Sequence, residues 1–129
     1  MKPLYIEPTE HNPTVVLDKD KGVFKFSGRS LPEDASKFFD PIQEWVGEYV
    51  KNPNPETIIE FKLDYFNSSS ARKFVNILIE LETVMKTDNK VKVIWYYKRE
   101  DKGIDEVMKE RGEEIEKIIE LPFEIKEYR

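Results

Sequence analysis

Apolar residues along the chain switch between two spacings, alternation and recurrence by threes and fours, with polar or proline-bearing breaks between them. Alternation is the mark of a half-buried strand and the longer spacing that of an amphipathic helix. Residues 4–7 form a weak extended segment. Residues 14–17 and 23–27 are two apolar runs flanking Asp18-Lys19-Asp20-Lys21-Gly22, a polar turn ending in the residue that tolerates positive φ, which predicts a hairpin. Over residues 32–51, Ala35, Phe38, Phe39, Ile42, Trp45, Val46, Tyr49 and Val50 trace one helical face. Pro41 interrupts it, either as the first helical residue after an Asp40 cap or as a kink in one longer helix. Asn52-Pro53-Asn54-Pro55 ends the helix.

Residues 57–66 alternate, with Ile59, Phe61, Leu63 and Tyr65 on the face expected to enter the core and Glu60, Lys62 and Asp64 opposite. Asn67-Ser68-Ser69-Ser70 then offers several N-capping side chains. Phe74, Ile77, Leu78, Leu81 and Met85 line the helix that follows, up to a polar stop at residues 86–89. Residues 90–97 form the next strand, with Val91, Val93, Trp95 and Tyr97 on one face. A helix over about 104–116 carries only Ile104, Val107, Met108 and Ile115 and should be the most exposed. Residues 118–125 are extended and broken by Pro122, which suits an edge strand or a bend. This order predicts one α/β domain over residues 1–129: a mixed β-sheet with an N-terminal hairpin, about three helices packed against it, and right-handed parallel crossovers.

Composition narrows the function. Charged residues make up 36% of the chain against roughly 25% in an average soluble protein, while 8 Phe, 6 Tyr and 2 Trp supply enough buried area to argue against disorder. The net charge of −5 removes the general attraction to phosphate backbones, so nucleic acid is not an expected partner. The absence of cysteine excludes disulfides, thiolate metal sites and thiol nucleophiles. No apolar run suits a signal peptide or a membrane span, so a cytoplasmic protein without membrane insertion is expected.

Candidates for chemistry are few. His11 is the single histidine and sits in a loop, so no metal site or catalytic triad is expected. The glycines at 22, 28, 47, 103 and 112 are too dispersed for a phosphate-binding loop. Asp18-x-Asp20-x-Gly22 departs from a calcium loop, because its glycine comes one place early and Arg29 stands where a glutamate is required. Glu110, Glu113, Glu114, Glu116 and Glu120 alternate with Lys109, Arg111 and Lys117 as a solvated face does. No catalytic residue and no cofactor are expected.

The informative place is the strand-to-helix elbow. Hydroxyls at Ser68, Ser69 and Ser70 fall where the first helical N–H groups lack intrahelical partners, so a negative charge there is tolerated. Phosphorylation would add roughly 1.5 to 2 negative charges, partly offset by Arg72 and Lys73. The competing reading is simple N-capping by the serines.

The segments Leu63-Asp64-Tyr65-Phe66-Asn67-Ser68-Ser69-Ser70, Ile6-Glu7-Pro8-Thr9-Glu10-His11-Asn12-Pro13, Ser27-Gly28-Arg29-Ser30-Leu31-Pro32-Glu33, Trp95-Tyr96-Tyr97 and Leu121-Pro122-Phe123 together resemble the SiaC family of bacterial phosphoproteins. That family is similar to the STAS anti-sigma-factor antagonists, which implies a STAS-like fold. The resemblance implies a non-enzymatic partner switch: a serine/threonine kinase adds a phosphate, a PP2C-type phosphatase removes it, and the unphosphorylated form engages an effector. In SiaC-type systems the effector is a diguanylate cyclase, which links the switch to cyclic di-GMP and biofilm regulation. The family's Asn-Thr-Ser-Ser motif falls on Asn67, Ser68, Ser69 and Ser70, so the acceptor threonine corresponds to Ser68, a departure that keeps the hydroxyl. The Asp-Ser-Ser-Gly elbow of the STAS antagonists points instead to Ser69. Asn67, Ser70, Phe66 and Arg72 are the expected elbow and partner-surface residues. The alternative from another class is a constitutive scaffold, or a STAS-like module binding a small anion or nucleotide, in which the serines only cap the helix.

Overall fold

The computed structural model describes residues 1–129. Its strands are β1 (Leu4–Ile6), β2 (Thr14–Asp18), β3 (Val23–Ser30), β4 (Glu56–Phe66), β5 (Lys90–Glu100), β6 (Gly103–Ile104) and β7 (Phe123–Tyr128), and its helices are α1 (Ala35–Tyr49), α2 (Ser68–Glu82) and α3 (Glu106–Ile118). The fold is mixed α/β. β1, β2 and β3 pair antiparallel, whereas β3, β4, β5 and β7 pair parallel in that order, and the short β6 folds back on the end of β5.

Each parallel step moves one strand over in the same direction, so crossovers of one hand place α1, α2 and α3 on the same side of the sheet. The register bears this out. Phe26 is paired with Phe61, and Phe61 with Trp95, so these rings share one face. Phe74 of α2 meets Phe26 and Phe61 edge-on, and Trp95 Nε1 donates to the Met108 carbonyl of α3 at 2.8 Å. The core of 24 buried residues lies between this face and the helices. The opposite face carries no helix; it is covered by its own polar ladder, including a Lys92–Glu124 ion pair at 2.7 Å and Lys62 over the Tyr128 ring at 4.3 Å.

The hairpin forms as its sequence predicts, with Gly22 at φ +67° closing the turn. Asp18 is buried in it, accepting from the Lys21 N–H at 3.0 Å and from the Tyr5 hydroxyl of β1. Of the two readings of Pro41, the longer helix holds. α1 starts at Ala35, capped by Asp34 accepting from the Lys37 N–H at 3.1 Å, and runs on through Pro41. Asp40 is therefore not a cap. The hydrogen bond that Pro41 forgoes would reach the exposed Lys37 turn, where water can replace it.

Three expectations are corrected. Gly28 pairs with Leu63 but Arg29 pairs with Tyr65, so Asp64 is an extra residue in β4. Beyond that bulge the alternation reverses: Tyr65 turns out to solvent at 43% exposure and Phe66 enters the core. Met85 leaves the α2 face because residues Thr83–Lys86 tighten into a 3-10 turn, which leaves Met85 exposed. Ile118 ends α3 rather than starting the last strand, and Ile104 belongs to β6, so the helix lies two residues later than its periodicity suggests. Pro122 stands just before the edge strand β7, and its carbonyl accepts from the Val93 N–H at 2.9 Å.

Candidate phosphoacceptor elbow

β4 delivers the chain to the elbow and Asn67 turns it. With φ −93° and ψ 174°, Asn67 has the extended backbone of an N-cap, and its Oδ1 accepts from the Ser70 N–H at 2.9 Å. Its own N–H donates to the Ser30 carbonyl at 3.2 Å, which ties the elbow to the end of β3. Capping is thus done by the asparagine rather than by a serine hydroxyl, and no acidic residue occupies the first turn of α2.

The three serines then occupy three different environments, one step apart on the first helical turn. Ser70 is fully buried. Its Oγ donates to the Ser30 carbonyl at 2.9 Å and accepts from Ser30 Oγ at 2.9 Å. The expectation that Ser70 belongs to a partner surface is therefore corrected: a hydroxyl at the third helical position points back along the axis into the β3–α2 junction, where buried polar groups must pair. Ser69 is half-buried, and Ser68 is exposed. Neither hydroxyl is engaged elsewhere in the chain, and the backbone N–H groups of both precede the first i to i−4 bond, donated by Ala71 to the Asn67 carbonyl at 2.9 Å.

Phe66 is also corrected as a surface residue, because the β4 bulge turns it inward until its ring is fully buried against Phe74 and Trp95. Above it lies Arg111 of α3, its guanidinium carbon 4.0 Å from the ring centroid and its Nη1 donating to the Phe66 carbonyl at 3.0 Å. Arg72 is exposed one turn after Ser68, the separation at which helical side chains meet. Lys73 instead reaches Ser36 Oγ of α1 at 3.2 Å.

Arg111 is the site residue that sequence reasoning overlooked by placing it on a solvated charged face. One signal pointed inward: Arg111 lies three residues after Met108 and four before Ile115, both buried. The next residue, Gly112, lets α3 press onto the sheet, since a Cβ there would fall 2.3 Å from Trp95 Cδ1. Beside the elbow, between α2 and α3, opens a cleft of about 330 Å³ floored by Phe66 and Ile115 and flanked by Arg72, Val75, Arg111 and Ile118.

His11 lies exposed in its loop, and no group of three or more His, Cys, Asp or Glu side chains is placed to hold a metal ion. No helix is long and apolar enough to cross a membrane.

The fold has counterparts in known proteins. An uncharacterized protein of Pseudomonas aeruginosa (strain UCBPP-PA14) is 26% identical over 125 residues, spanning 97% of this chain and 96% of its own length. The structure of SiaC of Pseudomonas aeruginosa superposes with a TM-score of 0.86 at 26% identity, covering 99% of this chain and 100% of that one. SiaC in the crystal structure of the diguanylate cyclase SiaD in complex with its activator gives 0.85 at the same identity, over 97% and 99% of the two chains. Residues 6–128 match the SiaC family regulatory phosphoprotein description, and the chain therefore belongs to the SiaC family of regulatory phosphoproteins, proteins that regulate a partner rather than catalyse a reaction.

Proposed function

We propose that the chain is a cytoplasmic partner switch, one domain over residues 1–129, whose acceptor is Ser68. The observation that carries this reading is the separation of the three elbow serines by environment: within a family of regulatory phosphoproteins, Ser68 combines an exposed position, an unengaged hydroxyl and free helical N–H groups. Ser69 is second, being half-buried, and Ser70 is committed to Ser30. A serine/threonine kinase would add the phosphate and a PP2C-type phosphatase would remove it.

The effector is a diguanylate cyclase, by likeness to the SiaC that activates SiaD. The unphosphorylated chain engages it. With a net charge of −5, one further phosphate changes the bulk field little, so the switch works through its position at the elbow. We also infer a STAS-like descent for the fold, supported by the placement of the acceptor at the strand-to-helix junction. The alternative, a constitutive module in which the serines merely cap α2, is disfavoured because Asn67 already supplies the cap.

The test is phosphosite mapping after incubation with the SiaC-type kinase of the same organism. Phosphate on residue 68 is the expected result, lost in Ser68→Ala. Phosphate confined to another segment, with Ser68→Asp leaving cyclase binding unchanged, would refute the assignment.

A further inference from the structure

The sheet has two edges, and they differ. β1, at one, is three residues long with Pro3 before it and Pro8 shortly after, so little backbone is left open there. β7, at the other, is six residues long and has β5 as its only neighbour. The bond from the Val93 N–H to the Pro122 carbonyl sets the phase of the β5–β7 ladder. Alternate residues of a parallel strand bond to the same neighbour, so Glu124, Lys126 and Tyr128 turn their N–H and C=O groups to β5, while Phe123, Ile125 and Glu127 turn theirs outward. Outward groups of this kind are a template for another strand.

Side chains follow the same alternation. Phe123 and Ile125 lie on the helix side of the sheet, beside Val93 and Trp95 in the register. α3 packs more on β5 than on β7, and both residues stay half-buried. Glu124 and Lys126 lie on the bare side. Glu124 holds Lys92 through Oε1 at 2.7 Å, and Lys126 is exposed without an ion pair.

We infer that β7 pairs antiparallel with β7 of a second copy of this chain, about a two-fold axis at Ile125. The inference stands apart from the switch reading above. Outward residues must meet outward residues, which places the axis at a residue and not between two. An axis at Glu124, Lys126 or Glu127 sets that charge against its own copy, and like charges directly opposite are destabilising. An axis at Phe123 or Tyr128 leaves much of the strand without a partner. The axis at Ile125 sets Ile125 against Ile125 and Phe123 against Glu127, so every outward residue of each strand exchanges backbone bonds. It also sets Glu124 opposite Lys126 of the second copy, on both sides of the axis. These two stand in a pair without hydrogen bonds, where side chains come closest, and Glu124 Oε2 is free for the lysine while Oε1 keeps Lys92. Glu127 brings no loose charge, because Arg99 of its own chain binds it in a fork at 2.7 and 2.8 Å.

A second copy is the fitting occupant because the strand is complementary to itself in this register. The axis stands perpendicular to the sheet, so one continuous sheet results with both helix layers on the same side. β4 lies two strands in from β7, and Ser68 stays exposed in both copies. The contact is one strand wide, which makes the association weak and reversible.

Sedimentation equilibrium over a concentration series up to about 1 mM, the range of a weak contact, tests this. The parent should show a reversible equilibrium between monomer and dimer. Lys126→Glu and Glu124→Lys, both on the bare side and checked for folding by circular dichroism, each put like charges across the axis and should weaken the dimer at least tenfold. Mixed in equal amounts, the two variants should recover a heterodimer, because each carries at both positions the charge that the other lacks. A parent that stays monomeric throughout would overturn the proposal. So would a dimer that both variants form as readily as the parent, or a mixture that associates no better than either variant alone.

Discussion

Ser70 Oγ donates to the carbonyl of Ser30 at 2.9 Å, and through that bond the first turn of α2 is fastened to the last residue of β3, forty positions earlier in the chain. Both residues are completely buried. Two positions before Ser70, Ser68 stands in solvent on the same helical turn. The elbow therefore separates a structural hydroxyl from an available one by two residues.

Ser70→Ala should destabilise the protein by about 1 to 3 kcal/mol, because it leaves the buried Ser30 hydroxyl without its acceptor and takes one of two donors from the Ser30 carbonyl, which keeps the Asn67 N–H. Ser68→Ala should change stability by less than about 0.5 kcal/mol, as an exposed position without partners does. Urea unfolding of the two variants checks the contrast, and equal destabilisation would contradict it.

Gly112→Ala places a methyl group 2.3 Å from Trp95 Cδ1, against a side chain fixed by its hydrogen bond to the Met108 carbonyl. Either α3 or the indole must move. A loss of about 1 to 3 kcal/mol is expected, with a change in tryptophan fluorescence that reports the displaced indole.

Phe74→Ala removes the ring on which Phe26, Phe39, Phe61 and Phe66 converge. A cost of about 3 to 5 kcal/mol is expected, measured by thermal or urea unfolding.

The Tyr5–Asp18 bond makes stability depend on pH in a defined way. Its hydrogen bond from Tyr5, joined by the Lys21 N–H, holds the Asp18 carboxyl below the usual range, and the same bond to Asp18 raises the Tyr5 phenol above its own. A depressed carboxyl contributes stability above its unfolded pKa and loses it as pH falls through the folded value. A raised phenol contributes below its unfolded pKa and loses it as pH rises through the folded value. Tyr5→Phe should therefore lower Tm most at neutral pH, with the gap to the parent closing toward both acid and strong base. A gap independent of pH would contradict this.

The strand and helix order was legible because burial on one side of each element imposes its period on the sequence, as in residues 57–63 and in the Phe74, Ile77, Leu78, Leu81 series. The reading failed where one residue broke the period. The Asp64 bulge exchanged the roles of Tyr65 and Phe66, since an added residue shows only through its pairing with β3. The strand-to-helix elbow was legible as a run of polar capping residues, and the resemblance put Ser68 first as the proposed acceptor. The difference between Ser68 and Ser70 depends on a contact with Ser30, which no local pattern carries. Arg111 was hidden for the same reason: its role comes from Phe66, a residue of another element.

The central claim is that one phosphate on Ser68 decides whether the chain holds its effector. The most direct measurement compares the unmodified protein with the protein carrying phosphoserine at 68, each titrated into the SiaD-type diguanylate cyclase of the same organism while binding and cyclic di-GMP formation are followed. The account predicts that the unmodified chain binds and stimulates the cyclase, and that the phosphorylated chain, equally folded, does neither. Equal binding and stimulation by the two forms would contradict it.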